Sequence, residues 1–412
     1  MTTRYFRIAA VLTFALMCGA PLNASDWPHW LGPNGDNIAP DADGVKGAEG
    51  FEPDLNKWNV AWSGNVGLGY SSLAVAHDRA FTMGHDGKGQ ETIWCLNAAT
   101  GATIWKHSYD AKLIAHLHTG GPNATPTIAG ANVITLSKDG QIFCLSTDKG
   151  AIVWQANLLD IFKIKLPEWG FASSAVIDGN QVLFCGGKTC ALDPATGKTL
   201  WVSQTAYVPA GYAASPAFEL DGKKFVAALD GKGFSVLSAN DGAEVARHPF
   251  KALFNMNATT PMILEQGKRI FISNTISSDM LAFDGQKLTR LWTSKDMKNL
   301  MNNSVFKAGA IYGMDGEQQQ PSNSLVCLDE ASGKENWSKQ EIGYGITMAV
   351  GNTLLILTEL GELISVKLDP AKYVEISRRK VLDKVCWTTP TYANGRIYLR
   401  NDQGKVLCLG GK

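Results

Sequence analysis

Residues that could carry out covalent chemistry are sparse in this 412-residue chain. It has no Gly-x-Ser-x-Gly nucleophile motif, and no glycine-rich loop opens a helix to hold a phosphate. The one close histidine pair is His116 and His118. On a strand, residues at this spacing share a face and could provide half of a metal site. The sequence identifies no third ligand, so a pair of polar loop residues is the competing interpretation.

Cysteine spacing suggests one redox site. Cys185 and Cys190 flank Gly186-Gly187-Lys188-Thr189, and a four-residue hairpin loop would place the two thiols opposite each other. This predicts either a cross-strand disulfide or two reduced core thiols. No Cys-x-x-Cys occurs, so zinc-ribbon, thioredoxin-type and haem-attachment chemistry lack their motifs. Five cysteines share one position of a repeat and are expected to be small core residues: Cys95, Cys144, Cys190, Cys327 and Cys408.

The elements that position these residues are indicated by a repeated phrase. The phrase starts with a small residue or Cys, followed by Leu and then by Asp or Asn. After two further residues come Thr or Ser and then Gly, and after three more comes Trp. Its fullest copy is residues 191–201. Other copies end at Trp105, Trp154 and Trp337, and weaker copies end at Trp292 and Ala246. A period of roughly 40–50 residues with strand-like patterning indicates a propeller.

Each repeat predicts four strands separated by hairpin turns such as Asp-Gly. The last repeat has only three strands, and the orphan strand containing Trp58 and Trp62 can supply the fourth. The sequence therefore predicts an all-β, eight-bladed β-propeller of four-stranded antiparallel blades, closed by pairing the N-terminal Trp strand with the C-terminal blade. Seven blades is the alternative, because the seventh repeat lacks its Trp and has Val374 or Ile376 instead. The repeats begin near Ser71, Thr125, Ser173, Ser215, Thr260, Asn303, Thr347 and Thr389.

The repeated phrase has a structural explanation. Its Asp or Asn can satisfy the backbone of the following turn, its Gly can take a positive φ, and its Trp can pack on the neighbouring blade while the indole N–H finds an acceptor. The residues expected to dock blades in this way are Trp62, Trp105, Trp154, Trp201, Trp292 and Trp337, with Gly101, Gly150, Gly197 and Gly333.

Composition excludes one class of partner. Lys+Arg and Asp+Glu are both 38, so the net charge is zero, and no run of basic residues could follow a phosphate backbone. We therefore expect no nucleic-acid partner.

The N-terminus, residues 1–24, has the features of a secretory signal peptide. Two arginines precede an apolar run at residues 8–17, which is too short to span a bilayer, and the small residue Ala24 offers a cleavage site. An uncleaved membrane anchor is the alternative. Lipoprotein anchoring at Cys18 is not expected, because large residues precede that cysteine. We expect a periplasmic or secreted protein with no transmembrane span in its mature form.

The Trp phrase resembles the tryptophan-docking motif of the PQQ-like, or quinoprotein, β-propeller family over most of the mature chain. In the alcohol and methanol dehydrogenase branch, the resemblance implies pyrroloquinoline quinone (PQQ) and calcium on the propeller axis. That branch has a disulfide between adjacent cysteines, and this chain contains no Cys-Cys pair. In the branch of the outer-membrane assembly factor BamB, it implies eight blades, protein partners and no cofactor.

A segment before the repeats is also similar to part of this family. Trp27-Pro28-His29-Trp30 resembles the Trp-Pro-x-Trp-Arg-Gly-Pro opening of exported PQQ-like repeat proteins of planctomycete-type bacteria, with Leu31 where Arg is usual. Residues 25–54 are expected to pack across the propeller as an N-terminal extension, and a disordered linker is the alternative. The propeller itself is expected over residues 55–412.

Large or hydrogen-bonding residues precede the first strand of each blade. In the dehydrogenase branch the corresponding loops surround the axial cavity, so these residues would form an aromatic and polar ring able to stack a planar ligand or grip a peptide. The competing interpretation is that they only plug the ends of the blades. These eight residues, here called the mouth ring, are Tyr70, His118, Trp169, Tyr212, Asn257, Asn302, Tyr344 and Trp387.

The predicted function is an exported, monomeric propeller that binds a protein or peptide partner in the cell envelope. No catalytic residue, cofactor or metal is expected. One alternative is a quinoprotein-type oxidoreductase or ligand sensor that uses PQQ with calcium at the mouth. A further alternative, prompted by the aromatic residues, is a carbohydrate-binding propeller.

Overall fold

Eight antiparallel sheets of four strands form the body of the molecule. The computed structural model describes residues 26–39, 50–116, 118–208, 211–317, 323–383 and 385–410. The expected signal peptide and Cys18 lie outside these residues. In the first seven sheets the four blade strands are neighbours in chain order, from the inner strand to the outer one. The predicted eight-bladed propeller is confirmed, and the alternative count of seven is wrong.

The first four blades follow one another along the chain. Blade 1 contains β3 (Ala74–Ala76), β4 (Arg79–His85), β5 (Gln90–Asn97) and β6 (Thr103–Asp110). Blade 2 contains β7 (Thr127–Ala129), β8 (Asn132–Leu136), β9 (Gln141–Ser146) and β10 (Ile152–Asn157). Blade 3 contains β11 (Val176–Asp178), β12 (Gln181–Cys185), β13 (Thr189–Leu192) and β14 (Thr199–Val202). Blade 4 contains β15 (Ala217–Leu220), β16 (Lys223–Asp230), β17 (Gly233–Ser238) and β18 (Glu244–Pro249).

The remaining blades include two strands from the N-terminal part of the chain. Blade 5 contains β19 (Met262–Leu264), β20 (Arg269–Ser273), β21 (Ser278–Phe283) and β22 (Leu288–Ser294). Blade 6 contains β23 (Val305–Lys307), β24 (Ala310–Asp315), β25 (Ser324–Asp329) and β26 (Glu335–Lys339). Blade 7 contains β27 (Gly345–Val350), β28 (Thr353–Thr358), β29 (Glu362–Lys367) and β30 (Glu375–Lys380), with β1 (Ile38–Ala39) added beside β27. Blade 8 contains β31 (Thr391–Ala393), β32 (Arg396–Arg400), β33 (Lys405–Gly410) and β2 (Asn59–Asn65).

Ring closure depends on β2. This strand pairs antiparallel with β33 and places Trp62 opposite Cys408, so the N-terminal Trp strand completes the C-terminal blade. Closure of this kind removes the open edge that an unclosed array of blades would expose. The predicted closure is therefore confirmed.

Helical structure is scarce in the described part of the chain. One α-helix, α1 (Leu158–Phe162), follows blade 2, and the side chain of Asn157 caps its N-terminus by accepting from the backbone N–H of Leu159. Short 3-10 turns occupy Leu55–Lys57, Leu253–Asn255 and Glu265–Gly267. Among these residues no helix has the length and apolar character needed to cross a membrane.

Tryptophan on an outer strand packs against glycine in the next blade. At Gly197, which has φ of 70°, a Cβ atom would lie 2.5 Å from the ring of Trp154, so only glycine fits beneath the indole. Gly242 takes the same place under Trp201, although it was not among the glycines expected from the sequence. The five pairs are Trp62–Gly101, Trp105–Gly150, Trp154–Gly197, Trp201–Gly242 and Trp292–Gly333.

These five indoles, and that of Trp337, also hydrogen-bond to the next blade. The Nε1–H group donates to a backbone carbonyl of the turn that contains the glycine or its equivalent, at 2.8–3.0 Å. A buried indole N–H without an acceptor would cost free energy, so the bond fixes the orientation of the ring. The donor and acceptor pairs are Trp62–Ala98, Trp105–Thr147, Trp154–Pro194, Trp201–Ala239, Trp292–Glu330 and Trp337–Asp369.

The boundary between blades 7 and 8 lacks this contact. The residue opposite Ser365, where other blades carry Trp, is Ser377, so the sequence assignment of Val374 or Ile376 to this position is wrong. A bulge between Ser365 and Val366 shifts the register. This repeat also lacks the glycine from which the Trp position is counted in the other repeats.

Residues from the N-terminal side fill that boundary instead. The Ser365 and Ser377 hydroxyls contact the carbonyl oxygen of Pro53, and Ser377 accepts from the backbone N–H of Leu55. Leu55 is fully buried, and Trp58 is buried beside it with its indole donating to the carbonyl of Glu52. This segment performs the packing that a tryptophan performs elsewhere.

The structure corrects two predictions about the cysteines, the length of the loop between Cys185 and Cys190 and the repeat position of Cys190. The loop between β12 and β13 has three residues, not four, so Cys185 lies opposite Thr189 and Cys190 opposite Phe184. Adjacent positions on a strand point to opposite faces, so the two cysteines are not opposed, and both are free buried thiols. Cys190 also lies opposite Val202, while its neighbour Ala191 lies opposite Trp201, so Cys190 does not share the position of the other four cysteines.

Residues 26–39, here called the axial segment, lie along the inner strands. Trp27 exchanges two backbone hydrogen bonds of 2.8 Å with Val75 on β3. At the other end of the segment, β1 pairs parallel with β27 on blade 7. The segment therefore occupies the centre of the ring.

We predict that Trp154→Ala lowers the free energy of unfolding by about 3–5 kcal/mol, because it empties a buried inter-blade contact. Trp154→Phe keeps most of the ring and loses the bond to Pro194, which should cost about 1 kcal/mol beyond the packing lost. Chemical denaturation followed by circular dichroism measures both changes.

The matched control is Ile152→Ala on the same outer strand, where the side chain is 50% exposed. Its effect should stay within about 0.5 kcal/mol. Equal losses for the Trp154 and Ile152 substitutions would contradict the docking role.

Candidate functional site at the propeller mouth

The loops that lead from each outer strand to the next inner strand lie at one end of the ring, because every inner strand begins there. These loops carry the mouth ring. The turns between the two middle strands of each blade reach the same end, which we call the mouth. Loop residues on a rigid scaffold are the usual location of binding sites.

Four of the mouth-ring residues form a continuous aromatic arc. The rings of Tyr70 and Trp387 stack with 5.6 Å between centroids and an interplanar angle of 20°. His118 meets Tyr70 edge-on at 5.6 Å and lies 5.7 Å from Trp169. All four side chains are half-buried, so each keeps part of its surface at the mouth. The structure therefore joins blades 8, 1, 2 and 3 through one aromatic surface.

A buried guanidinium supports this arc from below. Arg400 donates to the carbonyl oxygens of Ser71 and Gly67, at 2.8 and 3.0 Å, and so ties blade 8 to the loop that holds Tyr70. Burial lowers the pKa of Arg400 to about 9, and the negative charge of Asp402 opposes that shift. These contacts position the arc without exposing the cation.

The other four mouth-ring residues do not extend the arc as a continuous surface. Tyr212 is half-buried, and its backbone N–H donates to the carbonyl of Asn257. Asn257 is buried and its amide donates to the carbonyl of Asp230 at 2.7 Å, which is a structural role. Asn302 and Tyr344 are also fully buried. The arrangement is thus one exposed arc and a buried polar side, not a uniform ring.

The two histidines of the pair contact different polar partners. His118 accepts from the Gly120 N–H through Nδ1 at 2.9 Å, and its Nε2 lies 3.2 Å from the Lys138 amine. Burial, and then the charge of Lys138, lowers the pKa of His118 to about 4, while burial lowers the pKa of Lys138 to about 8. His116 faces Glu168 at 3.2 Å. Within the described ranges, no group of three or more His, Cys, Asp or Glu residues could hold a metal ion.

A buried carboxyl lies close to the arc, between blades 1 and 2. Glu91 accepts a 2.8 Å hydrogen bond from the Tyr109 hydroxyl, and it is fully buried. Burial raises the pKa of Glu91 to about 7, an effect that the Tyr109 bond and the Lys138 charge reduce. Neither residue could be predicted from the sequence, because a Glu at the start of a strand has no local signal of burial.

The mouth also carries exposed apolar side chains that the sequence pattern does not predict. Phe254 is 89% exposed and Leu253 beside it is 46% exposed. Phe254 and Asn255 both have positive φ, 54° and 55°. Positive φ is unfavourable for residues with a Cβ and is found where structure or function requires it. In the loop before blade 5, the sequence pattern predicts a mouth residue only at Asn257.

Comparison with known proteins identifies the family. A family model described as outer membrane protein assembly factor BamB matches residues 56–207 and 89–339, which together cover more than half of the chain. The chain belongs to this family of PQQ-like propellers. No curated protein sequence matches it significantly.

Solved structures of both branches resemble this BamB-family chain. BamB from Moraxella catarrhalis has 15% identity and a TM-score of 0.64, covering 86% of this chain and 99% of that one. Quinohemoprotein alcohol dehydrogenase from Comamonas testosteroni has 12% identity and a TM-score of 0.68, covering 94% and 81%. A europium-containing methanol dehydrogenase has 11% identity and a TM-score of 0.67, covering 93% and 89%. At such identities the likeness concerns the fold alone.

We predict that Glu91→Gln changes how the stability of this BamB-family propeller depends on pH. A raised carboxyl pKa means that the native state disfavours the charged form, so the wild type loses stability as pH rises from about 4.5 to 7, by roughly 2–3 kcal/mol. The neutral amide can still accept from Tyr109 and has no such loss. Urea denaturation at pH 5 and pH 7.5 should show a smaller pH difference for the variant.

A solvent-exposed acid provides the control. Glu335→Gln should leave the wild-type pH difference unchanged, because Glu335 is exposed. Identical pH profiles for Glu91→Gln and wild type would refute the assignment.

Proposed function

We infer that this BamB-family propeller is an exported binding protein that holds a protein or peptide partner at its mouth and catalyses no reaction. The observation that carries this proposal is the set of exposed apolar side chains on the mouth loops. The family description, an outer membrane protein assembly factor, supports a partner of this class. Residues 1–24, with their signal-like sequence, support export.

Exposed apolar residues have two locations in the described part of the chain. One group lies on the outer strands, where each blade has a rim edge, as at Val60 and Leu291. The other group lies on mouth loops and turns: Leu113, Leu166, Leu253, Phe254, Ile276 and Leu360. Apolar side chains grouped on loops around one end of a scaffold are typical of an interaction surface.

Phe254 is the strongest candidate for a central contact. Its ring is almost fully exposed, and its backbone has the unfavourable positive φ noted above. The loop is nevertheless tied down, because the Leu253 N–H donates to the Thr275 hydroxyl on the neighbouring turn of blade 5. Ile276 on that turn adds a third exposed apolar side chain. A protruding aromatic on a fixed loop suits insertion into a partner's pocket.

The aromatic arc adds a second surface of suitable chemistry. Trp387 stacks on the half-buried Tyr70, Trp169 lies against His118, and both indoles are half-buried. Tyrosine and tryptophan are enriched at protein interfaces because they combine large apolar area with a polar group and few rotatable bonds. The arc and the Phe254 loop could contact one partner together.

The nucleophile candidates favour binding over catalysis. The cysteines in the described part of the chain are all buried, and burial raises the pKa of the Cys95 and Cys144 thiols to about 12. A buried protonated thiol is a poor nucleophile. Near the arc, His118 has its Nε2 against Lys138 and its Nδ1 against the Gly120 N–H, so neither nitrogen is available as a general base.

We predict that Phe254→Asn weakens capture of the envelope partner by about tenfold or more, since it removes an exposed aromatic contact. The same change should raise the free energy of unfolding slightly, because asparagine tolerates positive φ better than phenylalanine. Pull-down from cell-envelope extract with immobilised protein, together with denaturation curves, measures both effects.

The matched control is Leu291→Asn, an exposed apolar residue on the rim of blade 5. Capture should be unchanged in this variant. If Phe254→Asn and Trp169→Ala both retained full capture, the mouth would not be the binding surface. Robust turnover by the purified protein would contradict the proposal as a whole.

A second candidate function is a quinoprotein-type oxidoreductase or sensor that takes PQQ with calcium at the mouth. The structural likeness to the two dehydrogenases favours it. The residues do not fit well, since calcium prefers several carboxylate or carbonyl oxygens and the mouth carboxylate of Glu359 accepts from the Trp387 indole at 3.2 Å. For this second function, adding PQQ and calcium should shift the absorbance spectrum of PQQ, whereas our leading proposal predicts no shift.

A further inference from the structure

The axial segment, residues 26–39, binds the ring through the inner edges of its blades. Trp27 pairs with Val75 on blade 1, and the carbonyl of Pro28 accepts from Ile128 on blade 2 at 2.8 Å. Near its end, the carbonyl of Asn37 accepts from Ala349 on blade 7 at 2.9 Å. Strand edges in a propeller channel carry unpaired backbone groups, and an extended peptide can pair with them as an added strand.

The segment also crosses the full width of the channel. Trp30 donates through its indole to the Thr260 hydroxyl on blade 5 at 3.0 Å, only three residues after Trp27 contacts blade 1. Blades 1 and 5 are opposite each other in a ring of eight. The segment meets β27 and the Asn394 turn of blade 8 near the ends of inner strands, so it lies toward the end of the channel opposite the mouth.

Its side chains are buried like those of a bound ligand. Trp27 is 2% exposed, and its ring packs on Gly32 so closely that a Cβ there would lie 2.8 Å away. The segment folds back on itself between Leu31 and Asn37, where the Asn37 N–H donates to the Leu31 carbonyl at 2.8 Å. Asn34 and Gly35 at the tip are exposed. The segment thus has a defined shape and one dominant anchor.

No blade requires this segment for completion. Each of the eight blades has its four strands without it, and ring closure rests on β2 and β33. The β1 strand is a fifth strand on a complete blade, and it runs parallel to β27, whereas every pairing inside the blades is antiparallel. The segment is therefore an occupant of the channel, in addition to the ring.

We propose that the channel of this propeller is a peptide-binding site, that residues 26–39 are its built-in ligand, and that a separate peptide of the same chemistry can replace them. The ligand class is a peptide whose two ends pair with inner strand edges and whose middle forms a turn, with one tryptophan inserted at the position of Trp27. While the segment is in place, the channel is closed opposite the mouth. This site is separate from the mouth, so the proposal does not depend on the function inferred there.

The test uses the full chain with a protease site inserted between Gly44 and Val45. After cleavage, the protein is incubated with excess fluorescent synthetic peptide of residues 26–39 and separated from free peptide by size exclusion. We expect the labelled peptide to replace the original segment at one peptide per propeller, while circular dichroism retains the β-sheet signal. A labelled peptide with Trp27→Ala should bind about tenfold or more weakly, because it loses the buried indole.

A matched peptide with Asn34→Ala is the control and should bind as the wild-type peptide does, since Asn34 is exposed. Two results would overturn the proposal. One is that no labelled peptide enters the cleaved protein. The other is that exchange occurs only as fast as global unfolding measured by hydrogen exchange, which would make the segment an integral part of the ring. Equal binding of the Trp27→Ala peptide would overturn the assignment of the anchor.

Discussion

The contact between a tryptophan and a glycine of the next blade is the interaction on which this ring depends. Blades are joined along the chain by single loops, so their relative orientation must be fixed by the faces that meet. The indole of Trp154 lies on Gly197 and donates to the carbonyl of Pro194. The packing requires glycine and the bond requires one ring orientation, so a single residue sets both the spacing and the angle between two blades.

This constraint bears on the two blade boundaries that lack a docking tryptophan, those between blades 7 and 8 and between blades 4 and 5. The glycine that receives a tryptophan lies in the turn between the third and fourth strands, and in blade 8 that turn is absent because β33 and β2 come from opposite ends of the chain. A tryptophan at Ser377 would have no glycine to pack on. Leu55 and Trp58 fill the space at this boundary instead. The boundary between blades 4 and 5 has the glycine without the tryptophan. Ala246 occupies the Trp position of blade 4, and a Cβ on Gly285 of blade 5 would have no neighbour within 4 Å.

The sequence could predict the ring because its determinants are local and repeated. Strand number, blade number and closure follow from spacing, whereas register within a strand follows from bulges and loop lengths that spacing does not reveal. The assignments at Ser377 and Cys190 failed for that reason. The chain position of each mouth residue could be predicted from the sequence, but its depth of burial could not. The Asn257 amide, for example, is held by the carbonyl of Asp230, which lies 27 residues earlier in the chain. Phe254 follows no pattern, and only its exposure and positive φ distinguish it.

The ring alone does not determine what a propeller of this kind does. The scaffold is similar to an assembly factor and to two dehydrogenases at nearly equal TM-scores, so the ring does not distinguish binding from catalysis. What distinguishes them must be the groups that the loops add. Here the loops add aromatic and apolar surface at the mouth, and Arg400, Lys138 and Glu91 are buried behind it, where they hold loops together and contact no open space. Buried groups paired in this way hold in place the loops that carry the mouth surface.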